Sequence, residues 1–283
     1  MNILVTGAGG FIGRHLCKHL GTNYNIIGIT NKNQHIDGCH SHIVCDLTNK
    51  ERTLTDIAEK VSIKIDIIAH LASNLVDVRT SEQMDVFHKN IRITETVSAL
   101  AENLRPSKLI NFSTMAVYPN VDGIYSENSK VSCADNSECL YGLSKFCAEN
   151  IFSFMLKKLN IKIIHFRFGQ VYGDGMRNDR IIPIMQKELK ETNKITVYGN
   201  GERVSNFISI QKLLEIINLF LEEDTEGIFN IGDEQITYLE MANKIIEKNG
   251  NDLSCVIHKE QGSKSKFYLD TTKLKYLLSP KGQ

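Results

Sequence analysis

The chain has 283 residues with 33 Lys and Arg against 33 Asp and Glu, so its formal net charge is zero at pH 7. This balance provides no positive surface for nucleic acid or an anionic membrane, and neither is expected as a partner. No apolar run approaches the roughly 18 residues that a membrane span requires. The seven cysteines show no CxxC spacing, which favours reduced thiols in a cytoplasmic protein over a disulfide framework or a metal site.

A strand pattern followed at once by a glycine-rich loop opens the chain. Residues 2–6 suit a strand buried in a parallel sheet, and Gly7, Gly10 and Gly13 follow it. Such glycines permit a tight turn, close approach of a pyrophosphate and close packing of the next helix. The helical pattern that comes next would direct free N–H groups at the phosphates. This arrangement predicts a dinucleotide site, and a glycine-rich structural turn is the alternative.

Strand and helix patterns alternate over the first part of the chain. Further strands are predicted at 25–30, 42–45, 65–70, 108–112 and 161–166, and helices at about 12–20, 51–60, 82–103 and 142–158. The alternation predicts an α/β fold, a Rossmann doubly wound parallel sheet with ligands at the carboxyl ends of its strands. Two later strands, 207–210 and 227–231, are expected to rejoin this sheet.

After about residue 170 the patterns become shorter, which predicts a smaller C-terminal substrate-binding region. We expect a dinucleotide-binding domain from residues 1–174, with returning segments at about 204–232. The substrate-binding region is expected from residues 175–203 and 233–283. Because no Pro-, Gly- or Ser-rich linker separates the two parts, the substrate cleft is expected between them.

Candidate chemistry lies in the middle of the chain. Tyr141 and Lys145 are four residues apart, hence on one face of a predicted helix. A nearby ammonium lowers the pKa of a phenol, so Tyr141 could exchange a proton near neutral pH. Ser113 and Thr114 place hydroxyls just after a predicted strand, at the edge where a substrate carbonyl could lie. The Tyr–Lys spacing alone is also typical of a solvated helix face, but with the glycine loop and the hydroxyls it indicates catalysis.

Several segments together carry a resemblance that runs nearly from end to end. They are Thr6–Gly13, Asp46–Leu47, His70–Ser73, Ser113–Tyr118, Tyr141–Lys145, Arg167–Gly173, Ile195–Gly201 and Tyr268–Leu274. In these segments the chain resembles the extended short-chain dehydrogenases/reductases, specifically the NAD-dependent epimerase/dehydratase group that acts on nucleotide sugars.

The resemblance implies hydride exchange between a nicotinamide and a sugar carbon. Tyr141 would exchange the proton on the sugar oxygen, Lys145 would hold the cofactor ribose and tune Tyr141, and Thr114 would hydrogen-bond the same oxygen. Besides Tyr141 and Lys145, the cofactor contacts it implies are Gly7, Gly10, Phe11, Ile12, Gly13, Asp46, Leu47, Leu71, Ala72, Ser73 and Phe168. Relatives pair through the helices corresponding to 82–103 and 142–158, so a homodimer is expected.

The residues after the second strand bear on the choice of cofactor. Asn31 and Lys32, both predicted cofactor contacts, stand where a carboxylate would bind the ribose 2′-hydroxyl of NAD. With Arg14 nearby, this favours NADP(H), while NAD(H) stays possible. The alternative for Lys32 is a solvated loop residue.

Departures from the family pattern narrow the reaction. Met115 and Ala116 replace the Asp-Glu pair with which dehydratases eject water, so a 4,6-dehydratase is not expected. A reductase of a 4-keto-6-deoxy sugar is favoured over a 4-epimerase, because the chain is short for the epimerases and its cofactor preference points to NADPH. A non-catalytic dinucleotide-sensing protein is the third reading, although it predicts loss of Tyr141 or Lys145 and both are present.

The substrate side rests on fewer residues. Ser205 stands where many relatives have an arginine that clamps the nucleotide diphosphate, and other cations could supply that charge, with a solvated surface cation as the alternative for each. Those cations are Arg180, Arg203, Lys264 and Lys266. The predicted substrate contacts are Ser113, Thr114, Gln170, Arg180, Arg203 and Ser205. His70 is expected as a core histidine and Asn90 as a prop for the active-site backbone, while Gln170 has a local turn role as its alternative.

Overall fold

The computed structural model describes residues 1–75 and 83–279. Position 82 of the predicted helix 82–103 and positions 280–283 of the predicted substrate region lie outside the described residues. The strands are β1 (Asn2–Thr6), β2 (Asn25–Thr30), β3 (Ser41–Val44), β4 (Ile67–His70), β5 (Lys108–Phe112), β6 (Gly123–Tyr125), β7 (Lys162–Phe168), β8 (Gln170–Tyr172), β9 (Lys194–Tyr198), β10 (Val204–Ser209), β11 (Gly227–Ile231), β12 (Glu234–Thr237), β13 (Cys255–Lys259) and β14 (Phe267–Leu269). The helices are α1 (Phe11–Leu20), α2 (Lys50–Lys60), α3 (Met84–Leu104), α4 (Cys139–Met155), α5 (Ile181–Thr192), α6 (Ile210–Glu222), α7 (Tyr238–Asn249) and α8 (Thr272–Leu278).

The chain divides into two compact units. The first unit comprises Met1–Pro119, Val131–Phe168 and Leu213–Phe229, and the second comprises Asn120–Lys130, Gly169–Lys212 and the chain from Asn230 onwards. Over the described residues, the membership of the segment 120–130 in the second unit had no counterpart in the sequence patterns.

A seven-stranded sheet in the order β11-β7-β5-β4-β1-β2-β3 organises the first unit over the described residues. Its neighbouring strands from β3 through β7 are parallel. Ile3, Leu4 and Val5 of β1 are fully buried, as expected for a strand with helices on both faces. The strand order reverses between β1 and β4, and the crevice at such a point is where this class of sheet binds ligands. The predicted α/β Rossmann fold is confirmed.

The second unit contains short sheets instead of a continuation of the first. β10 pairs in parallel with β8 and antiparallel with β12. The expectation that residues 207–210 rejoin the main sheet was therefore wrong, whereas 227–231 forms its edge strand β11 as predicted. An apolar run such as Phe207-Ile208 favours a strand without specifying its partner, because pairing depends on which edge the connecting chain reaches. No helix among the described residues is long and apolar enough to span a bilayer.

Candidate active site

The loop between β1 and α1 is shaped by its glycines. Gly7 has φ +72°, and a Cβ on it would lie 2.7 Å from the backbone N of Ala72. Only glycine therefore allows this loop to approach the segment after β4 so closely. The N–H of Gly10 donates to the carbonyl of Gly7 at 2.9 Å, and Gly10 begins α1 with no side chain capping the helix. Unpaired N–H groups at a helix start, approached through bare backbone, suit a pyrophosphate.

Thr6 holds the segment after β4 in place. Its carbonyl accepts from the N–H of Leu71 at 3.1 Å, and its hydroxyl accepts from the N–H of Ala72 at 3.2 Å. The same hydroxyl is hydrogen-bonded to Nδ1 of His70 at 2.8 Å. Burial, with the charge of Lys145 as a smaller cause, keeps the pKa of His70 well below its usual range. His70 is thus a neutral core histidine, as expected.

Asn90 of α3 joins this segment to α4. Its Oδ1 accepts from the N–H of Asn74 at 2.7 Å and from the hydroxyl of Ser73 at 3.3 Å. Its Nδ2 donates to the carbonyl of Asn74 at 3.1 Å and to the hydroxyl of Ser144 at 3.0 Å. Ser144 in turn donates to the carbonyl of Tyr141 at 2.7 Å. Asn90 therefore props the backbone near Tyr141, as predicted.

Tyr141 and Lys145 both lie in the first half of α4 and are buried, at 8% and 3% exposure. Tyr141 packs with Val86 of α3 and with Ala116. A Cβ on Gly142 would overlap the carbonyl oxygen of Ala116, so glycine at that position lets the helix lie directly on the turn after β5. Burial lowers the pKa of the Lys145 ammonium to about 8 against the opposing effect of a carboxylate one helical turn later.

That carboxylate, Glu149, is the centre of a buried polar network. It accepts two hydrogen bonds from Arg167, at 3.0 Å from Nε and 2.6 Å from Nη2. Arg167 also donates from Nη1 to the hydroxyl of Tyr118 at 2.9 Å. The hydroxyl of Ser113, which is fully buried, donates to Glu149. The structure therefore directs Ser113, a predicted substrate contact, into this network.

Thr114 lies at the carboxyl end of β5 and caps the following turn. Its Oγ1 accepts from the N–H of Ala116 at 3.1 Å, and the side chain is 7% exposed. Phe168, at the end of β7, contacts the ring of Phe112 edge-on with centroids 6.0 Å apart.

The other predicted cofactor residues surround the β1 and β2 ends. Phe11 contacts the ring of His15 edge-on, Ile12 is half-buried, and Asn31 and Lys32 are exposed. Asp46 is exposed and accepts from the N–H and hydroxyl of Thr48 at 2.9 and 2.8 Å. Leu47, beside it, is buried.

Gln34 is a polar neighbour of the glycine loop that the sequence analysis missed. A Cβ on Gly9 would overlap its Nε2 and would lie 3.3 Å from Cγ2 of Thr30. The amide of Gln34 therefore covers Gly9. The only signal in the sequence was its place four residues beyond the end of β2, which does not specify the direction of a loop side chain.

In the second unit, Gln170 of β8 and Ser205 of β10 come together. Nε2 of Gln170 donates to the hydroxyl of Ser205 at 2.9 Å. Of the candidate cations, Lys264 forms an ion pair with Glu202 at 2.9 Å, and Lys266 is exposed.

Arg203 lies at a cavity of about 100 Å³ within the second unit, with its guanidinium 5.4 Å from the ring centroid of Tyr238. Arg180 immediately precedes α5, whose first residue lines the same cavity. The lining residues are Ile181, Met185, Thr196, Val197, Tyr198, Arg203, Tyr238 and Ser263. The sequence analysis singled out Arg203 but missed Tyr238, because an aromatic at the start of a helix usually packs into the core.

Comparison with known proteins identifies relatives of this arrangement. A model of the NAD dependent epimerase/dehydratase family matches residues 3–232. The chain is 27% identical to the dTDP-D-glucose 4,6-dehydratase of Dictyostelium discoideum over 86% of its length, and spans 61% of that protein. It is also 27% identical to the uncharacterized UDP-glucose epimerase YtcB of Bacillus subtilis, covering 98% of this chain and 92% of YtcB.

Two solved structures are similar over the full length. The UDP-glucuronic acid 4-epimerase of Bacillus cereus, in complex with UDP-glucuronic acid and NAD, has a TM-score of 0.80 at 26% identity, covering 100% of this chain and 95% of that one. The UDP-glucose 4-epimerase of Thermotoga maritima, with UDP-glucose, has a TM-score of 0.83 at 21% identity, covering 100% and 94%, and supports the fold. The expected preference for NADP(H) finds no support here, since the structural relatives with a stated cofactor contain NAD.

Proposed function

Because the chain belongs to the NAD dependent epimerase/dehydratase family, we propose that it is an oxidoreductase acting at C4 of a sugar linked to a nucleoside diphosphate. The observation that carries this proposal is the pair Tyr141 and Lys145, both buried on α4, which Gly142 places against the turn that follows Thr114. A sensor of dinucleotides would not require this phenol–ammonium pair.

The residues of the first unit fit a dinucleotide. The bare backbone at Gly7 and the uncapped start of α1 leave room and N–H donors for a pyrophosphate. When bound there, the nicotinamide supplies or receives the hydride. We assign dinucleotide binding to this unit and contacts to the sugar nucleotide to the second.

Tyr141 exchanges the proton of the sugar hydroxyl or carbonyl oxygen in this proposal. Thr114 donates a hydrogen bond to the same oxygen, and the Lys145 ammonium stabilises the phenolate that remains after proton donation. Because Lys145 is buried, its charge acts through a low local dielectric and is weakly screened. Catalysis then depends on placed donors and proximity and requires no covalent intermediate.

In the second unit, we assign recognition of the nucleotide diphosphate to Arg203 and Arg180, near the cavity. The Gln170–Ser205 pair supplies an amide and a hydroxyl for the sugar or the diphosphate. A single guanidinium can bind phosphate oxygens through two parallel hydrogen bonds, which a lysine cannot reproduce. Arg203, already oriented over Tyr238, is therefore the first candidate.

Reduction of a 4-keto-6-deoxy sugar is our first candidate reaction. Asn31 and Lys32, exposed at the end of β2, provide no carboxylate for NAD and can accept the 2′-phosphate of NADP. Met115 and Ala116 cannot carry the protons that a dehydratase moves.

Epimerisation at C4 is the second candidate, favoured by the similarity to a UDP-glucuronic acid 4-epimerase that contains NAD. The two reactions differ in what happens to the cofactor. An epimerase returns the hydride to the same sugar and keeps its cofactor, whereas a reductase consumes reduced cofactor and releases it oxidised.

The test uses protein purified without added nucleotide. Extraction and absorbance measure any bound cofactor, and the protein is then mixed with NADPH or NADH and a 4-keto-6-deoxy nucleotide sugar at 340 nm. Oxidation of reduced cofactor only when the keto-sugar is present supports the reductase. Stoichiometric bound NAD, with interconversion of UDP-sugars and no net oxidation of NADH or NADPH, supports the epimerase instead. No turnover in either assay, with tight dinucleotide binding, would contradict both.

A homodimer is part of the proposal. Phe154 and Met155 of α4 are 80% and 51% exposed, and Leu143 one side of the same helix is 37% exposed. Pairing of α3 and α4 with their copies would cover these apolar side chains. Sedimentation of the wild type beside Phe154→Glu tests it, since a charge in the centre of such an interface converts a dimer to a monomer.

A further inference from the structure

Two cysteines far apart in the sequence meet beneath the β1–α1 loop. The thiols of Cys17, in α1, and Cys39, in the connection from β2 to β3, form a hydrogen bond with each other. The backbone supports this contact, because a Cβ on Gly38 would overlap the carbonyl of Cys17. The turn that holds Cys39 is closed by its own N–H, which donates to the carbonyl of Ile36 at 3.2 Å. The two thiols are therefore held together by packed backbone on both sides.

The two thiols differ in access. Cys17 is fully buried, whereas Cys39 is half-buried. The sulfur of Cys39 lies over β2, where a Cβ on Gly28 would come within 2.7 Å of it and within 3.2 Å of Cβ of Ala8. Glycine at position 28 thus provides the space that this sulfur occupies. A reagent from solvent would reach Cys39 first, with Cys17 directly behind it.

We propose that Cys17 and Cys39 form a reversible disulfide by exchange with a low-molecular-weight disulfide such as glutathione disulfide. In the first step, the Cys39 thiolate attacks one sulfur of the glutathione disulfide, forming a mixed disulfide and releasing one glutathione thiolate. In the second step, Cys17 loses its proton to solvent and attacks the Cys39 sulfur, releasing the second glutathione thiolate. Two protein thiols are oxidised and one glutathione disulfide is reduced to two thiols.

The electrostatics assign the same order to the two cysteines. The hydrogen bond from Cys17 lowers the pKa of Cys39, against the opposing effect of burial. The pKa of Cys17 is raised, first by its hydrogen bond with Cys39 and then by burial. Because the thiolate is the reacting form, Cys39 is the attacking residue. Once Cys39 is in a mixed disulfide it carries no charge, so the main cause of the raised pKa of Cys17 disappears.

The bond would tie α1 to the connection between β2 and β3. That connection carries Asn31, Lys32 and Gln34, and Gln34 covers Gly9 of the glycine loop. In a reducing cytoplasm a disulfide of this kind is transient and responds to oxidant. The modification does not depend on which sugar the protein acts on, so it can be tested without a substrate.

The experiment incubates the full-length protein with glutathione disulfide, blocks remaining thiols with N-ethylmaleimide, and maps peptides by mass spectrometry. The expected product is a peptide pair linked through Cys17 and Cys39, with the loss of two hydrogen atoms, which dithiothreitol reverses. Cys17→Ser should accumulate the glutathione adduct on Cys39, and Cys39→Ser should form neither product. Cys255→Ser, which removes an exposed cysteine elsewhere, is the matched control and should form the link like the wild type.

A persistent glutathione adduct on Cys39 in the wild type, with no link to Cys17, would overturn the proposal. So would linkage of Cys17 or Cys39 to other cysteines in comparable yield. Thermal unfolding adds a measurement that needs no variant. The oxidised wild type should unfold at a higher temperature than the reduced wild type, because the cross-link restricts the unfolded chain; an unchanged or lower temperature would contradict a link that fits the folded structure.

Discussion

The predicted catalytic residues in the first unit and the predicted substrate residues in the second are held in different ways. Tyr141, Lys145 and Ser113 are buried, and hydrogen bonds of Asn90 and Glu149 hold the backbone or side chains around them. In the second unit, Arg180 and Arg203 are half-buried. Buried groups with satisfied partners keep one geometry, whereas partly exposed cations can adjust to the anion they meet. The difference suggests that the reaction type is encoded in the first unit and substrate choice in the second.

Replacing the phenol is the most severe way to break this division. Tyr141→Phe should lower turnover by about 10²–10⁴-fold, because the proton donor is removed while the ring that packs on Val86 and Ala116 remains. Cofactor affinity, measured by fluorescence titration, should be almost unchanged. Tyr276→Phe alters a tyrosine that is 85% exposed on α8 and is the matched control. Equal turnover in the two variants would remove Tyr141 from the mechanism.

The buried ion pair tests whether the first unit depends on its network for stability. Glu149→Gln leaves the Arg167 guanidinium buried without a counter-charge, so the free energy of unfolding should fall by about 3–5 kcal/mol. Urea denaturation followed by circular dichroism measures the change. The control is Glu191→Gln, which breaks an exposed i,i+4 pair with Lys187 and should change stability by about 0–1 kcal/mol. Similar losses in both variants would show that the Glu149–Arg167 pair is no more important than a surface pair.

The lowered pKa of Lys145 predicts two opposite responses to pH. With a pKa of about 8, Lys145 loses its charge as pH rises through this value, so kcat/KM should fall there and the fall should be absent from Lys145→Met. Stability should respond the other way. Between pH 8 and 10.5 the unfolded chain binds more protons than the folded one, so the contribution of Lys145 to stability rises with pH over that window.

The pH experiment compares the wild type with Lys145→Met in activity and in urea denaturation. Below pH 8 the folded wild type buries a charge that the variant lacks, so the variant should gain stability relative to the wild type there. That advantage should disappear as pH approaches 10.5. A wild-type activity profile that is flat through pH 8 would contradict the assignment of the ammonium as the active form.

Variants in the second unit should affect binding more than turnover. Arg203→Gln removes the charge and keeps a side chain that can reach the cavity, so KM for the sugar nucleotide should rise by about tenfold, the effect of about 1.4 kcal/mol, with kcat nearly unchanged. Lys264→Gln, whose parent lysine is paired with Glu202, is the control and should leave KM within about twofold, as expected for a surface ion pair. A loss confined to kcat in Arg203→Gln would contradict the division between the two units.

The smallest effect is expected at the end of β2. Lys32→Glu should weaken NADPH binding relative to NADH, because it places a negative charge where Lys32 is proposed to meet the 2′-phosphate. Since Lys32 is exposed, the change should be only about 1 kcal/mol or less. Lys158→Glu, at an exposed site of the same unit, controls for net charge. An unchanged ratio of NADPH to NADH affinity in Lys32→Glu would remove the remaining argument for NADP(H).

Helix and strand positions in the first unit could be predicted closely because their apolar periodicity is strong. β1, β2 and β5 have the predicted bounds, and α4 begins at Cys139, before the predicted start at 142. The pairing of β10 could not be predicted, since a short apolar run does not specify the edge it joins. The same limit applies to side chains. The hydroxyl of Ser113 looked available from the sequence, and only the folded chain brings Glu149 and Arg167 to it.

The sequence by itself determined the fold class, the glycine loop and the Tyr141–Lys145 pair, because each depends on residues that are near one another along the chain. Tertiary structure alone decided the Asn90–Ser144 link, the burial that lowers the pKa of Lys145, and the meeting of Cys17 with Cys39. These features join residues on different elements. Local propensity carries no record of such contacts, since burial and partner choice arise only when the strands and helices pack.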